Sequence, residues 1–213
     1  MMNDKATQLH AILSAAPVIP VLTIEDTEAA VPLARALVAG GLTAIEVTLR
    51  TDAALDCIRA IVAEVEGVRV GAGTVLDRRQ FDAAVAAGAT FVVSPGSTPG
   101  LAAAAADSPV PFLPGVATAG EAMVLAEQGY RLMKFFPAEP GGGVAYLKAM
   151  MMPLPAIGFC PTGGIGIDNA PAYLALANVI CVGGSWVAPA ETVAAAGWDR
   201  ITALARAAAA LRR

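Results

Sequence analysis

Apolar residues are concentrated in eight short runs that recur along the chain at intervals of roughly 20 to 26 residues. Most runs end in Gly, Pro or a polar residue, which is typical of a buried strand that leads into a turn. The predicted strands are VIPVL (18–22), AIEVTL (44–49), RVGAGTV (69–75), FVVSP (91–95), FLPGV (112–116), RLMKFFP (131–137), IGFCPTG (157–163) and VICVGGSW (179–186).

Ala-rich stretches with helical patterning separate these runs. The first, DTEAAVPLARALVAGG (26–41), has an acidic start and a Gly-Gly stop, and both are helix boundary signals. MNDKATQLHAILSAA (2–16) predicts an extra helix before the first strand, and TVAAAGWDRITALARAAAALRR (192–213) predicts the last helix. Comparable helix starts are Asp52, Asp77, Thr98, Thr118 and Asp168.

The alternation of strands and helices predicts parallel strands joined by right-handed crossovers. Eight such units fit an α/β fold of one domain over residues 1–213, a (β/α)8 TIM barrel with the extra N-terminal helix. An open doubly wound sheet is the alternative. No Gly-x-Gly-x-x-Gly motif opens the first helix, and the count of eight favours closure, so we expect the barrel.

The composition indicates extensive burial. Hydrophobic residues make up 56% of the chain and charged residues 15%, whereas charged residues are about 25% of an average soluble domain. We therefore expect much of the apolar surface to be buried, either in a core or between subunits. The net charge of -4, without an internal basic run, argues against nucleic-acid binding.

The segment AILSAAPVIPVL (11–22) is the one candidate for a secretory signal. Asp4 precedes it and Pro17 and Pro20 interrupt it, so we expect neither a signal peptide nor a membrane span. The cysteines are odd in number, widely spaced and set in apolar contexts, which is typical of buried thiols in a cytoplasmic protein. They are Cys57, Cys160 and Cys181.

Polar residues lie at the carboxyl ends of the predicted strands, where barrels of this type carry their chemistry. Because strand side chains alternate between faces, Glu46, Thr48 and Arg50 share one face of the second strand. The other strand-end residues are Thr74, Ser94, Thr162 and Ser185.

Lys134 lies in the middle of the apolar run RLMKFFP, where an amine loses its hydration. If Lys134 and Glu46 both point into the barrel, they converge across it. A desolvated amine is disfavoured in its charged form, and a neutral amine can form a Schiff base with a carbonyl while the carboxylate moves protons. The alternative is a structural lysine whose head reaches solvent at the rim, with Glu46 as a plain ion-pair partner.

Glycine-rich turns follow the seventh and eighth predicted strands. In barrels, the loops after these two strands commonly bind phosphate through backbone N–H groups. Gly163, Gly164, Gly184 and Ser185 would line such a site. The alternative is that these glycines serve only to permit tight turns.

Metal catalysis is not expected. His10 is the sole histidine and lies in the N-terminal helix, so the chain has neither a Cys/His ligand set nor a Ser-His-Asp triad. A carboxylate-only magnesium site stays open, although few acidic residues lie at strand ends.

Six ordered motifs resemble the 2-keto-3-deoxy-6-phosphogluconate (KDPG) aldolases, the class I aldolases of the Entner–Doudoroff pathway. The resemblance runs from PVIPVLT at residue 17 to WDRITALAR near the C-terminus. The motifs are EVTLRT (46–51), GAGTV (71–75), SPG (94–96), KFFPAE (134–139), CPTGGI (160–165) and GGSW (183–186).

The resemblance implies a role for each motif. It makes Lys134 the Schiff-base lysine and Glu46 the general acid/base, while Arg50 and Thr74 hold the pyruvyl carboxylate. The implied reaction is the reversible cleavage of 2-dehydro-3-deoxy-6-phospho-D-gluconate to pyruvate and D-glyceraldehyde 3-phosphate.

At the other end of the substrate, the resemblance implies that Gly163, Gly164 and Ser185 bind the phosphate and that Thr162 contacts the hydroxyl-bearing part. It also implies a homotrimer with no metal or organic cofactor. The alternatives are an aldolase for the galactonate epimer or for 4-hydroxy-2-oxoglutarate, a non-catalytic phosphosugar-binding barrel, and a phosphoribosyl-type isomerase on the same barrel.

Overall fold

The computed structural model describes residues 2–211, in which a curved layer of parallel strands is covered by helices. The strands are β1 (Val18–Leu22), β2 (Ala44–Thr48), β3 (Arg69–Gly73), β4 (Phe91–Val93), β5 (Phe112–Leu113), β6 (Gly115–Val116), β7 (Leu132–Phe135), β8 (Gly158–Pro161) and β9 (Val182–Gly184). The helices are α1 (Met2–Leu13), α2 (Thr27–Ala39), α3 (Ala54–Glu64), α4 (Arg78–Ala86), α5 (Pro99–Asp107), α6 (Ala119–Glu127), α7 (Gly143–Met150), α8 (Ala170–Leu174), α9 (Ala190–Ala194) and α10 (Trp198–Ala209).

The strands form two parallel sheets, in the orders β5-β4-β3-β2-β1-β9 and β6-β7-β8. The prediction of a parallel α/β fold with an N-terminal helix is therefore confirmed. The fifth predicted strand is divided into β5 and β6, because Pro114 between them has no N–H to continue the ladder. At the other margin, isolated bridges join Phe159 to Val179 and Thr162 to Gly183, and so connect β8 with the β9 segment.

The two faces of the strands bury different sets of side chains. Ile45 and Val47 of β2 face the helices and belong to the larger core. A smaller cluster lies on the opposite face, where α1 contributes Leu9, Ile12 and Leu13. The residues that it meets there are Ile19, Ala44, Phe91, Val93, Leu113, Leu132, Cys160 and Cys181. The N-terminal helix thus packs against the amino-terminal half of this inner face.

The prediction of buried thiols is confirmed, since Cys57, Cys160 and Cys181 are buried and form no disulfide with one another. Burial raises the pKa of the Cys57 thiol, which keeps it protonated and unreactive.

Four predicted helix starts are N-caps whose side chains accept a backbone hydrogen bond: Asp26, Asp77, Thr98 and Thr118. The starts predicted at Asp52 and Asp168 are wrong by one residue, because the N-caps are Ala53 and Asn169. Asn169 does not cap α8 through its side chain, because its amide instead accepts from Gly166 N and donates to Gly164 O in the preceding turn.

The single C-terminal helix predicted over 192–213 is wrong, because the segment is divided into α9 and α10. Ala196 is left-handed with φ 50°, and two reverse hydrogen bonds end α9 there, from Ala196 N to Val193 O and from Gly197 N to Thr192 O. This pattern is a Schellman motif, which stops a helix. Residues 212–213 of the predicted helix lie outside the described residues, and α1 ends at Leu13 rather than at residue 16.

Candidate active site

Lys134 and Glu46 meet inside the curved sheet, as the alternation of strand residues predicted. Lys134 Nζ donates to Glu46 Oε1 at 3.0 Å, and each side chain is only 4% exposed. The ammonium also lies 5.6 Å from the centroid of the Phe136 ring. The lysine head therefore does not reach solvent at the rim, as it would in a structural lysine that only packs its stem against the strand. The pair is an amine and a carboxylate in a nearly dry enclosure.

The carboxylate of Glu46 occupies space that a glycine provides. Gly73, at the end of β3, pairs with Thr48 and lies diagonally across the β2–β3 pairing from Glu46, whose direct partner is Gly71. A Cβ at position 73 would lie 2.6 Å from Glu46 Cδ and closer still to Oε1. Any side chain at this position would displace the carboxylate from the lysine.

If Glu46 is the general acid/base that the sequence resemblance implies, we expect Gly73→Ala to lower kcat/KM by about 10²-fold, because an ångström-scale displacement of such a group has an effect of that size. The measurement is the rate of the cleavage that the sequence resemblance implies, followed as pyruvate release. Gly120→Ala is the matched control, since a Cβ at that position meets no atom within 4 Å. Activity of Gly73→Ala within twofold of wild type would show that the position of Glu46 is not critical.

Arg50 and Thr74 converge just beyond the ends of β2 and β3. Arg50 Nε donates to Thr74 Oγ1 at 3.1 Å, and the guanidinium is exposed. Thr74 has φ 56°, a left-handed conformation that is unusual for a β-branched residue and that collects at functional sites. The two side chains thus form a polar group at the strand ends, with free donors on the guanidinium for an anion.

A cavity of about 520 Å³ lies at the carboxyl ends of the strands. Its wall includes Arg50 and most of the predicted phosphate and substrate residues, whereas Glu46, Lys134 and Thr74 are not part of the wall. Phe136 links the two regions, because it lines the cavity and lies beside Lys134. The predicted site residues in the wall are Arg50, Thr162, Gly163, Gly164, Gly184 and Ser185.

The turn after β8 directs its N–H groups toward the cavity. The carbonyls of Thr162 and Gly163 accept from Ala138 N at 2.8 Å and Glu139 N at 3.0 Å, and the carbonyl of Gly164 accepts from Asn169 Nδ2 at 3.1 Å. In a trans peptide the N–H points opposite to the carbonyl. The N–H groups that follow these three carbonyls therefore point to the other side of the turn, which borders the cavity.

Left-handed backbone makes this turn possible. Gly163 has φ 106° and Gly164 has φ 78°, values that glycine adopts without steric penalty. Successive N–H groups on one side of such a turn form an anion-binding concavity. The structure thus has the local backbone geometry that anion binding requires at the end of β8.

Sequence reasoning missed three residues that shape the site. Gly73 and Phe136 lie within quoted motifs, but only the packing shows what they contact. Gly183 allows the close approach of β9 to Thr162, because a Cβ there would lie 3.0 Å from Thr162 Cγ2 and closer to Oγ1. Doubled glycine in GGSW was the available signal for this close approach.

Two other features bear on the class of site. Within residues 2–211, no helix combines the length and apolar character that crossing a membrane requires. The same part of the chain has no group of three or more His, Cys, Asp or Glu side chains arranged to hold a metal ion.

Comparison with known proteins identifies the family. The family model described as Aldolase: KDPG and KHG aldolase matches residues 9–204. The chain belongs to this family. A curated relative, the 2-dehydro-3-deoxy-phosphogluconate aldolase of Dickeya dadantii, is 49% identical to this aldolase over 205 residues, which is 96% of each chain.

Two solved structures of the family have the same fold. KDPG aldolase from Legionella pneumophila, with pyruvate captured at low pH as a covalent carbinolamine intermediate, is 45% identical with a TM-score of 0.93, and the match covers 94% of this chain and 98% of that one. The aldolase of Zymomonas mobilis ZM4 with 3-phosphoglycerate is 47% identical with a TM-score of 0.91, covering 100% and 98%. The predicted family and enzyme class, an aldolase and therefore a lyase, are confirmed.

Proposed function

We propose that this aldolase reversibly cleaves KDPG to pyruvate and D-glyceraldehyde 3-phosphate through a Schiff base on Lys134. The proposal rests on the buried 3.0 Å contact between Lys134 Nζ and Glu46 Oε1. The covalent carbinolamine with pyruvate in the Legionella pneumophila relative supports it.

The first step needs a neutral amine. Lys134 Nζ and Glu46 Oε1 lie 3.0 Å apart, so a proton can pass from the ammonium to the carboxylate without changing the net charge of the enclosure. The free amine of Lys134 then attacks the C2 carbonyl of the substrate to give a carbinolamine. Glu46 returns the proton as the C2 hydroxyl leaves as water, and a protonated imine remains.

The protonated imine withdraws the electrons of the bond to be broken. Glu46, now a carboxylate, removes the proton of the C4 hydroxyl, the C3–C4 bond breaks, and D-glyceraldehyde 3-phosphate departs. The bonding electrons form an enamine on C3. Glu46 returns its proton to C3, and hydrolysis of the imine releases pyruvate and regenerates the amine. Because the imine is the electron sink, the proposed route uses no metal or organic cofactor.

The remaining site residues hold the two ends of the substrate. Arg50 and Thr74 bind the C1 carboxylate next to the reacting carbonyl. Thr162 contacts the hydroxyl-bearing part of the chain. Binding at both ends fixes the scissile bond over the lysine, and this orientation lowers the barrier. The phosphate-binding residues are Gly163, Gly164, Gly184 and Ser185, in the wall of the 520 Å³ cavity. A bound 3-phosphoglycerate in the Zymomonas mobilis relative supports an anion site of this kind.

We further propose that residues 1–213 form one closed (β/α)8 barrel, which assembles as a cytoplasmic homotrimer. The chain continuity of β5 and β6 and the bridges between β8 and the β9 segment support closure. Apolar side chains left on the surface support assembly, since burying them between subunits would be favourable. The exposed large ones are Val62, Leu76, Met123, Val124, Met152 and Ile167.

A second candidate activity is cleavage of 4-hydroxy-2-oxoglutarate (KHG), because the matching family model covers both substrates. The galactonate epimer of KDPG is a related alternative, since it preserves every group that the imine chemistry uses. A coupled assay of pyruvate release separates the three substrates.

We expect kcat/KM for KDPG to exceed that for KHG by on the order of 10²-fold, since KHG lacks the phosphate whose binding orients the bond. The kcat/KM for KDPG should also exceed that for its C4 epimer. A higher kcat/KM for KHG or for the epimer would assign the aldolase to that substrate instead. Absence of pyruvate release from all three would overturn the proposed function.

A further inference from the structure

Glu139 and Tyr173 form a hydrogen-bonded pair behind the turn after β8, on the side away from the cavity wall. The Tyr173 hydroxyl donates to Glu139 Oε1 in a short contact. Tyr173 lies on α8 and is fully buried, whereas Glu139 follows β7 and is exposed. The pair joins the segment after the lysine strand to the helix that follows the phosphate turn.

Glu139 touches the turn through its backbone and through its side chain. Its N–H donates to Gly163 O at 3.0 Å. Its Cβ and Cγ pack on Gly164 so closely that a Cβ on that glycine would lie 2.8 Å from both atoms. A displacement of Glu139 would therefore release one carbonyl of the turn and remove the surface on which Gly164 rests.

Helix α8 holds the turn from its other side. Asn169, the N-cap of α8, donates to Gly164 O at 3.1 Å and accepts from Gly166 N at 2.7 Å. Tyr173 follows Asn169 by one helical turn, so the two residues project from the same side of α8. The turn is thus clamped between Glu139 and Asn169, and Tyr173 is the residue that ties Glu139 to the Asn169 side.

The pair lies close to Gly143, which leaves little room for the two side chains to move toward it. A Cβ on Gly143, which has φ 58°, would lie 3.2 Å from the Tyr173 hydroxyl oxygen and 3.3 Å from Glu139 Oε1. Burial and the hydrogen bond to Glu139 raise the pKa of the Tyr173 phenol. The hydroxyl therefore keeps its proton and remains a donor at the pH values at which an aldolase would be assayed.

We infer that Glu139 and Tyr173 are positioning residues for the phosphate end of the substrate. Neither touches the reacting carbons in the proposed mechanism. Their contacts hold the carbonyls of the turn on the side away from the cavity, and a peptide whose carbonyl points away from the cavity presents its N–H to a phosphate bound there. This inference rests on the proposed function, because it deepens the role of the same anion-binding turn.

The test uses Tyr173→Phe, which removes the donor without changing charge or ring packing. We expect KM for KDPG and the inhibition constant of inorganic phosphate to rise together by about tenfold, the usual weight of one hydrogen bond to a charged group. Exchange of the pyruvate methyl protons, which needs Lys134 but no phosphate, should stay within twofold of wild type. Tyr130→Phe is the matched control, because Tyr130 is a half-buried tyrosine that lines a different cavity.

Unchanged KM and phosphate inhibition in Tyr173→Phe would overturn the inference, as would an equal loss of proton exchange, which indicates general disruption. If Tyr173→Phe does not fold, Glu139→Ala replaces it, because it removes both the acceptor for Tyr173 and the Cγ that packs on Gly164. Weaker phosphate inhibition in that variant supports positioning, whereas stronger inhibition would mean that the Glu139 charge only repels the anion. A wild-type protein that exchanges no pyruvate protons would overturn the proposed function itself and this inference with it.

Discussion

Replacing Lys134 with alanine is expected to lower the rate of KDPG cleavage by at least about 10⁴-fold, since removal of a covalent nucleophile eliminates the pathway rather than weakening it. The 3.0 Å contact with Glu46 makes Lys134 the one lysine with a proton acceptor in the enclosure. No neighbouring side chain supplies a second amine there, because the other lysines are Lys5 and Lys148. The measurement is pyruvate release at saturating KDPG.

The loss must be separated from unfolding. Removing one partner of a buried ion pair costs about 3–5 kcal/mol when the other charge is left unpaired. The double variant Lys134→Met/Glu46→Gln avoids this cost, because it removes both charges and retains the volume. A thermal denaturation experiment should show that the double variant is folded, and it should be as inactive as Lys134→Ala. Lys148→Ala, an exposed lysine on α7, should cleave KDPG at the wild-type rate. A Lys134→Ala protein within tenfold of wild type would contradict the mechanism.

Replacing Glu46 with glutamine should lower both KDPG cleavage and the exchange of pyruvate methyl protons by about 10²–10⁴-fold, the usual contribution of a general acid/base. The amide keeps the shape of the carboxylate and an oxygen that can accept from Lys134 Nζ, but it cannot carry a proton. Imine formation on Lys134 should therefore persist at a reduced rate. Proton exchange is followed by the loss of the pyruvate methyl signal in deuterated water.

Glu127→Gln serves as the control for this substitution, because Glu127 is exposed at the end of α6. It should exchange pyruvate protons as the wild type does. Wild-type exchange in Glu46→Gln would remove Glu46 from the proton-transfer steps and leave it as an ion-pair partner alone.

Local rules predicted much of the fold from the sequence. The period of two along strands placed Glu46, Thr48 and Arg50 on one face, and the structure has Glu46 and Thr48 buried with Arg50 at the rim. Side-chain chemistry at helix starts predicted Asp77 and Thr118 as caps, the latter within a capping box with Glu121. These features depend on neighbours only a few residues away.

The meeting of Lys134 with Glu46, 88 residues apart, is a different kind of prediction. It required both local alternation and the expected curvature of the sheet, and the sequence alone left a rim-exposed lysine as an equal alternative. The burial of both the Lys134 and the Glu46 side chain excludes the rim-exposed lysine. Burial of this kind is a property of the assembled sheet. The motif resemblance pointed to the same residue independently of this geometry.

Other features could not be read from the sequence because they depend on tertiary contacts. Ala196 adopts the left-handed conformation that glycine usually supplies, so the end of α9 was hidden within an Ala-rich run that predicts continuous helix. Gly73 looks like any strand glycine until Glu46 is placed beside it. Glu139 and Tyr173 are 34 positions apart in the sequence. No sequence pattern specifies that they meet, or which groups bind the carbonyls of the turn beside them.

The most direct test of the Schiff-base proposal is reduction of the wild-type protein with borohydride in the presence of pyruvate, followed by peptide mass analysis. We expect the peptide containing Lys134 to gain the mass of one reduced pyruvyl group and activity to fall in proportion to this modification. The peptides of Lys5 and Lys148 should be unchanged. An unmodified Lys134 peptide, or modification confined to another lysine, would contradict the Schiff-base proposal.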